Sequence, residues 1–372
     1  MAATCRAMVL EAPGRMRLRT FELPQIGPDE ALLRVELVGI CGTDHGLYSG
    51  KLSAPLPLIP GHEILGRIAT IGERAAERYG MREGDRVTVE GAVPCWSCTA
   101  CHSGSYRFCR SMLAYGTRAP LAQPPGLWGG MAEHMYLAPG SILHKASETI
   151  PAETAIVAGL VANGVQWLNG YGALSVGDTV VIQGAGPQGL AATAVAHASG
   201  AAQIVVTGLR RDAPRLRLAR ELGASDVVVA DEDEPVAAVR ELTGDRLADV
   251  VLDATGSSQA VRASIQMVRP QGTLVLAGLT GADVETSIAL DRLVWNEIRL
   301  QGVFSKDATA MAKGIGFLAT TGARYPLHKI VSHVFGLEQA EDAIRAVAED
   351  GAADGFIKAA IRPGCSDPLG DD

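Results

Sequence analysis

Four cysteines stand close together near residue 100 and offer the ligand set of a closed zinc site. Cys95, Cys98, Cys101 and Cys109 lie within fifteen residues, in the spacing C-x2-C-x2-C-x7-C. Four thiolates in one short loop suit a tetrahedral ion that has no open position. Disulfide bonds are the alternative, but short C-x-x-C separations in a chain without a secretion signal favour metal binding. We therefore predict a structural zinc lobe over residues 94–110.

A second, sparser group of candidate metal ligands precedes the lobe. The stretch Cys41-Gly42-Thr43-Asp44-His45 supplies a thiol, a hydroxyl, a carboxylate and an imidazole, and Gly61-His62-Glu63 adds another imidazole and carboxylate. A thiolate, an imidazole and a carboxylate, with no fourth cysteine nearby, suit an open catalytic zinc site. The alternative is that Cys41 and His62 are ordinary structural residues.

A glycine-rich turn stands between a strand pattern and a helix pattern. The apolar run Thr179–Gln183 leads into Gly184-Ala185-Gly186-Pro187-Gln188-Gly189, and the alanine-rich stretch Leu190–Ser199 follows. In a G-x-G-x-x-G turn, the first glycine permits the turn, the second admits a pyrophosphate and the third packs the helix against the strand. The helix N-terminus adds a positive dipole for the phosphates. This context predicts a dinucleotide site, although unrelated folds also contain glycine turns.

The end of the next strand pattern bears on the choice between NADP and NAD. An acidic residue about 20 residues after the turn normally binds the ribose 2′-hydroxyl of NAD. This chain has Gly208 at that position, and Arg210 and Arg211 follow. Arginines without an acid suit the 2′-phosphate of NADP, so we favour NADP over NAD. The alternative is that the two arginines form a solvated turn and that Asp212 binds the ribose.

The elements that must position these groups change in character along the chain. The first ~150 residues are broken by Gly and Pro and carry short β-rich runs such as 31–38 and 85–89. From about Thr154, short apolar strands alternate with helical stretches, which is typical of a parallel sheet covered by helices on both faces. The predicted fold class is therefore α/β, with a doubly wound unit after a β-rich unit. The segment after Gly302 matches neither a further βαβ unit nor a separate domain.

Composition narrows the range of partners. The chain has 41 Asp and Glu against 33 Lys and Arg, a net charge of −8, without a block of like charge. Nucleic acid is therefore not an expected partner, because phosphate binding needs a basic surface. No stretch approaches the ~18 apolar residues of a membrane helix. The N-terminus also lacks the apolar core of a signal peptide, so we expect a cytoplasmic protein.

The order of the motifs carries a resemblance. The motifs occur along the chain in a fixed order, which is Cys41-Gly-Thr-Asp, Gly61-His62-Glu63-x2-Gly66-x5-Gly72, Gly84-Asp85-Arg86-Val87, the cysteine lobe and the glycine turn. This order resembles the zinc-containing medium-chain alcohol and polyol dehydrogenases over nearly the whole chain. The resemblance implies a GroES-like catalytic domain at 1–155, a Rossmann dinucleotide-binding domain at 156–302, and a segment 303–372 that returns to the catalytic domain. It also implies a homodimer or homotetramer.

The same resemblance assigns roles to the second group of ligands. Cys41 and His62 would bind a catalytic zinc, and Glu63 would be a third ligand or a close neighbour. Asp44 would accept a hydrogen bond from the His62 ring and so orient it.

Two departures from the family pattern concern the proton path and the remaining ligand. Thr43 would take the proton of the alcohol, whereas His45 lies one position before the usual relay histidine. The family usually supplies a Cys, Glu or Asp where this chain has Gly159 or Leu160, neither of which can bind zinc. Either the three remaining ligands hold the ion together with water, or the site is weakened or empty.

The chemistry implied by the resemblance is hydride transfer between a primary or secondary alcohol and a nicotinamide cofactor. Zinc would lower the pKa of the alcohol hydroxyl, or polarise the carbonyl of an aldehyde or ketone in the reverse direction. The alternatives are a sorbitol-like polyol dehydrogenase and a non-catalytic nucleotide-binding member of the family.

Overall fold

The computed structural model describes residues 3–281, 283–348 and 355–364. These residues form two units. The first takes 3–156, 331–348 and 358–364, and the second takes the described residues of 157–330 together with 355–357. Within the described ranges, no helix is long and apolar enough to cross a membrane.

The N-terminal part is rich in β-strands, as the sequence predicts. Its strands are β1 (Thr4–Ala12), β2 (Arg15–Glu22), β3 (Ala31–Gly39), β4 (Glu63–Ile71), β5 (Arg86–Val89), β6 (Ala92–Val93), β7 (Leu113–Ala114), β8 (His134–Leu137) and β9 (Leu143–Lys145). Its helices are α1 (Gly42–Tyr48), α2 (Glu73–Tyr79), α3 (Thr99–His102) and α4 (Ala152–Ala155). Strand β3 is buried over most of its length because it pairs with β4 and β8 inside a sheet.

The second unit has the doubly wound architecture that the alternation predicts. Its strands are β10 (Thr179–Gln183), β11 (Gln203–Gly208), β12 (Asp226–Val229), β13 (Ala248–Asp253), β14 (Val268–Leu276) and β15 (Arg299–Gly302). Its helices are α5 (Ala158–Gly164), α6 (Pro187–Ala198), α7 (Ala213–Glu221), α8 (Pro235–Leu242), α9 (Ser258–Met267), α10 (Leu290–Trp295) and α11 (Ala308–Ala319). The parallel sheet has the order β12-β11-β10-β13-β14-β15. The order reverses between β10 and β13, where Rossmann folds bind dinucleotides.

The chain then returns to the first unit through β16 (Val331–Gly336), α12 (Ala340–Ala348) and β17 (Lys358–Arg362). The sheet there has the order β16-β17-β3-β4-β5-β9, with β8 also paired to β3. In the register of this sheet, Gly39 lies opposite Ala360 on one side and Glu63 on the other. The returning strand therefore runs beside the junction of β3 and β4.

The returning segment begins at Val331, later than the boundary at residue 303 that the sequence suggests. Residues 303–330 stay with the second unit because α11 packs against α5. The end of the expected segment, Cys365–Asp372, lies outside the described residues.

The Gly84–Val87 motif has a structural explanation within the first unit. The Arg86 guanidinium is buried and donates two hydrogen bonds to the carboxylate of Glu36, at 2.8 and 2.7 Å. Its remaining nitrogen donates to the carbonyl oxygens of Ser147 and Ile150, at 2.9 and 2.6 Å. Arg86 thus fastens the last residues before α4 to the sheet.

Candidate active site and metal centres

The four cysteines of the predicted lobe lie together. One ligand atom from each lies within 4.8 Å of the others. The sulfurs of Cys95 and Cys98 lie 4.0 and 3.6 Å from that of Cys101. The hydroxyl and the N–H of Ser97 lower the pKa of Cys95 to about 6, which favours the thiolate that a metal requires. The four lobe cysteines and Cys41 are free thiols. This donor set fits a structural zinc ion.

A buried hydrogen-bond chain fastens the lobe to the sheet. Tyr106, which stands between the third and fourth cysteines, donates its hydroxyl to Glu90 Oε2 at 2.7 Å. The other carboxylate oxygen lies 2.8 Å from Nε2 of His144 on β9. Glu90 is only 4% exposed. The position of the lobe therefore depends on these hydrogen bonds as well as on the cysteines, since a buried carboxylate without partners costs free energy.

The second group of ligands converges where β3 ends and β4 begins. Cys41 follows β3 as the N-cap of α1, and His62 and Glu63 stand at the start of β4. One ligand atom from each of the three lies within 4.8 Å of the others. Burial opposes ionisation of Cys41, but the neighbouring His62 outweighs it and lowers the pKa of the thiol. A thiol, an imidazole and a carboxylate at this spacing fit a zinc ion that keeps an open position.

Asp44 lies behind the His62 ring. Its buried carboxylate accepts hydrogen bonds from the N–H groups of Cys41 and Gly61, at 2.9 and 3.2 Å, and Oδ1 lies 3.5 Å from His62 Nδ1. Burial opposes a charge on His62, but the Asp44 carboxylate raises the pKa of His62 well above its ordinary value. This geometry supports the orienting role expected of Asp44.

The two candidates for proton transfer lie on α1. The hydroxyl oxygen of Thr43 lies 3.7 Å from the sulfur of Cys41, and so stands beside the metal-binding group. His45 is partly buried two residues further along, and it is not one of the three residues whose ligand atoms converge.

Sequence reasoning missed Lys358, which the returning strand β17 brings to this group. The side chain is 3% exposed, and its Nζ lies 2.6 Å from Glu63 Oε2. The same ammonium donates a hydrogen bond of 2.8 Å to the carbonyl oxygen of Ile40. Burial opposes the charge, but Glu63 and Cys41 raise the pKa of Lys358 above its ordinary value. A lone lysine in the apolar run Phe356–Ile361 was the available signal, because a buried charge requires a partner.

At the position where the family usually supplies a further zinc ligand, the structure has no side chain that can bind zinc. Gly159 and Leu160 lie on α5 in the second unit. A Cβ added to Gly159 would lie 3.3 Å from Nζ of Lys306. The space in which a ligand side chain would begin thus faces an ammonium group. Gln188 fastens α5 to α6, because its side-chain nitrogen donates to the Leu160 carbonyl oxygen at 2.9 Å.

The glycine turn has the backbone of a phosphate-binding turn. Gly184 has a φ of +101°, a conformation that favours glycine. A Cβ on Gly189 would lie 1.9 Å from the Gly184 carbonyl oxygen, so only glycine permits this approach of α6 to the turn. A Cβ on Gly186 would meet nothing within 4 Å, which leaves space beside the helix N-terminus. Pro187 begins α6, where a missing N–H leaves no hydrogen bond unmade.

The carboxylate of Asp212 is engaged within its own turn. It accepts hydrogen bonds from the N–H of Leu209 at 3.0 Å and from a guanidinium nitrogen of Arg215 at 2.7 Å. Each carboxylate oxygen therefore has a partner within the turn, and Asp212 is only 9% exposed.

The residues expected to select the cofactor lie at the carboxyl end of β11. Gly208 is the last residue of that strand, and Arg210 and Arg211 follow on the exposed surface. The Arg210 side chain is 76% exposed and lies 2.6 Å from Glu232. Both arginines thus follow the carboxyl end of β11, where an adenine ribose binds in this fold.

Comparison with known proteins shows what this chain is similar to. Family models match at residues 27–148 (alcohol dehydrogenase GroES-like domain) and 187–320 (zinc-binding dehydrogenase). A probable alcohol dehydrogenase of Mycobacterium tuberculosis is 42% identical over 93% of this chain and 95% of its own length. Sorbitol dehydrogenase of Bacillus subtilis is 32% identical over 91% of this chain and 92% of its own. A solved structure from Sinorhizobium meliloti, described as a zinc-binding dehydrogenase bound to NADP, is 25% identical to this chain and has a TM-score of 0.86. The match covers 97% of this chain and 100% of that structure.

The fold and site define a class of enzyme, the oxidoreductases that combine a GroES-like domain with a Rossmann domain. Within that class, the chain belongs to the zinc-dependent medium-chain alcohol and polyol dehydrogenases. It is an enzyme that acts on CH–OH groups of small-molecule alcohols with zinc and a nicotinamide cofactor. The fold expected from the sequence is confirmed.

Proposed function

We propose that Cys41, His62 and Glu63 form the catalytic metal site of this dehydrogenase and that Thr43 takes the substrate proton. The observation that carries the proposal is the convergence of one ligand atom from each of the three residues within 4.8 Å. Zinc in such a site is a Lewis acid that lowers the pKa of a substrate hydroxyl. The Asp44 carboxylate holds the His62 ring in place, and the Thr43 hydroxyl lies beside Cys41 to receive the proton.

Zinc content tests this proposal. Elemental mass spectrometry on protein purified without chelator is expected to find two zinc ions per chain, one in the lobe and one at the catalytic group. C41S should then lose one ion and turnover of alcohols, whereas C98S should lose the other. One ion per wild-type chain, with none gained after zinc is added, would contradict the catalytic assignment and favour a non-catalytic role.

We also propose that the enzyme prefers NADP to NAD. The support comes from Gly208, which leaves no acid for the 2′-hydroxyl, and from the exposed pair Arg210 and Arg211. The S. meliloti structure with NADP is compatible with this preference. The double change R210A/R211A should lower kcat/KM with NADP by about tenfold or more, because hydrogen bonds to a charged phosphate are lost. R217A, which removes an exposed arginine from α7, is the matched control, and equal losses with NAD and NADP would contradict the preference.

A homo-oligomer formed through the β15 edge is a further part of the proposal. Strand β15 lies at one end of the parallel sheet, next to β14, and so offers an unpaired strand edge among the described residues. Helix α10, which ends shortly before β15 in the sequence, carries exposed apolar side chains, among them Val294 at 72% and Trp295 at 82%. Exposed apolar surface beside an open strand edge favours pairing with a second copy.

The mass in solution tests this interface. Light scattering coupled to gel filtration should report a dimer or tetramer for the wild-type chain and a smaller species for L300K, which places a charge on β15. V176K changes an apolar residue that is 85% exposed elsewhere on the second unit and should leave the mass unchanged. A wild-type monomer, or an L300K assembly of wild-type mass, would contradict the proposed interface.

A cytoplasmic location also remains a proposal. Its support is the free state of Cys41 and of the four lobe cysteines, because thiolate metal sites persist in reducing compartments. Cell fractionation should find the chain with cytoplasmic markers, and its recovery outside the cytoplasm would contradict the proposal.

A further inference from the structure

A buried ammonium group stands at the catalytic metal-binding group, and no step of the proposed chemistry uses it. Lys358 reaches Glu63 from the returning strand, with Nζ 2.6 Å from Oε2, and donates to the Ile40 carbonyl oxygen. Both side chains are largely shielded from water, at 3% and 15% exposure. A charge pair with so little solvent has little screening, so each partner strongly constrains the other.

The surrounding backbone gives this pair a specific place. Gly39 lies opposite Glu63 in the sheet, and a Cβ on it would lie 2.3 Å from Glu63 Oε2 and 3.1 Å from Lys358 Cε. The carboxylate and the lysine stem thus occupy the space that any other residue at position 39 would need for its side chain. The Ile40 carbonyl oxygen fixes the ammonium from the other side.

Among the described residues, the carboxylate is also one of three ligands that converge for a metal, and Gly159 supplies none. An oxygen that faces the ammonium gives less of its charge to a metal, and the positive lysine repels a divalent cation placed beside it. A zinc ion that takes Glu63 as a ligand must therefore displace this ion pair or share it.

We propose that Lys358 is a positioning residue that competes with zinc for the Glu63 carboxylate and thereby weakens the hold of the protein on its catalytic metal. The proposal rests on the assignment of Cys41, His62 and Glu63 as the metal site. Because the protein binds the metal more weakly, the ion can exchange with solution and Glu63 can dissociate from it. Lys358 itself touches neither the substrate nor the cofactor in this scheme.

The rate of zinc release to a coloured chelator tests the competition. C41S first identifies which kinetic phase belongs to the catalytic group. K358M should slow that phase by on the order of tenfold, because changes beside metal ligands commonly alter metal affinity by such factors. K358R keeps the charge and should release zinc at close to the wild-type rate. R362M removes a cation from the same strand, where it pairs with Glu153, and is the matched control.

A double-mutant comparison separates competition for Glu63 from simple charge repulsion. If Lys358 acts through Glu63, adding K358M to E63Q should have little further effect on release. An equal slowing in both backgrounds would overturn the proposal, as would a K358M rate that matches wild type. Retention of the lobe zinc reports that each variant is folded, and K358Q replaces K358M with the same expectation if K358M fails this check. A single zinc per wild-type chain would overturn the catalytic metal site itself, which distinguishes that failure from one of Lys358 alone.

Discussion

Gly39→Ala should disturb the catalytic group without replacing any proposed ligand. The register of β3 and β4 puts Gly39 opposite Glu63, and the Lys358 stem lies against the same backbone. Alanine is otherwise an ordinary residue in a strand, and Gly39 does not have a left-handed backbone conformation. The consequences of G39A should therefore come from the one added methyl group.

The structure gives the size of the disturbance. The new Cβ would lie 2.3 Å from Glu63 Oε2, whereas ordinary contact begins at 3.4 Å, so the carboxylate must retreat by about 1.1 Å. The Lys358 stem, at 3.1 Å, must give way as well. Overpacking of this kind costs about 1–3 kcal/mol of unfolding free energy. A misplacement of about 1 Å at a catalytic site can lower turnover by about 10²-fold.

Two glycines near the same site provide graded controls. A Cβ on Gly42 would meet nothing within 4 Å, and one on Gly91 would make an ordinary contact of 3.4 Å with His62. Urea denaturation and kcat/KM with a reactive alcohol should rank G39A well below G91A, and G91A close to G42A. If G39A matched G42A in both measurements, the close packing of Glu63 and Lys358 against β3 would be refuted.

Two further substitutions probe the cofactor turn and the lobe. G189A should abolish NADP and NAD binding, because its Cβ would lie 1.9 Å from the Gly184 carbonyl oxygen. Cofactor binding is measured by the quenching of protein fluorescence, and an unchanged zinc content would show that the first unit is intact. Normal cofactor affinity in G189A would contradict the close approach of α6 to the turn. Y106F should lower the free energy of unfolding by about 1–3 kcal/mol, since it leaves the buried Glu90 carboxylate without one donor. Y136F, which removes a hydrogen bond to the partly buried Glu30, is its control, and an equal or smaller loss in Y106F would count against the anchoring role of Tyr106.

Local spacing made several features predictable from the sequence. The four lobe cysteines are so close along the chain that few backbone paths can keep them apart, and their convergence could be expected. The glycine turn could be placed because strand, turn and helix are consecutive and each glycine has a steric reason. The position of Asp44 behind His62 was harder, since seventeen residues of chain separate the two, and it came from the resemblance to the family rather than from spacing.

Other features depended on contacts that no local pattern encodes. Asp212 carries the carboxylate that a ribose-binding residue needs, and only the tertiary structure shows that this carboxylate accepts hydrogen bonds from Leu209 and Arg215. The boundary at residue 303 moved to Val331 because the packing of α11 against α5 decides to which unit those residues belong.

The sequence by itself determined the ligand types, the dinucleotide turn and the class of fold, because these depend on side-chain chemistry and on residues close along the chain. The tertiary structure alone decided the partner of Glu63. Lys358 lies 295 positions later in the sequence, and it reaches the carboxylate because β17 returns to pair with β3. A buried charge needs a partner, but the sequence does not say which one, since pairing over such a separation is fixed by the order of strands in the folded sheet.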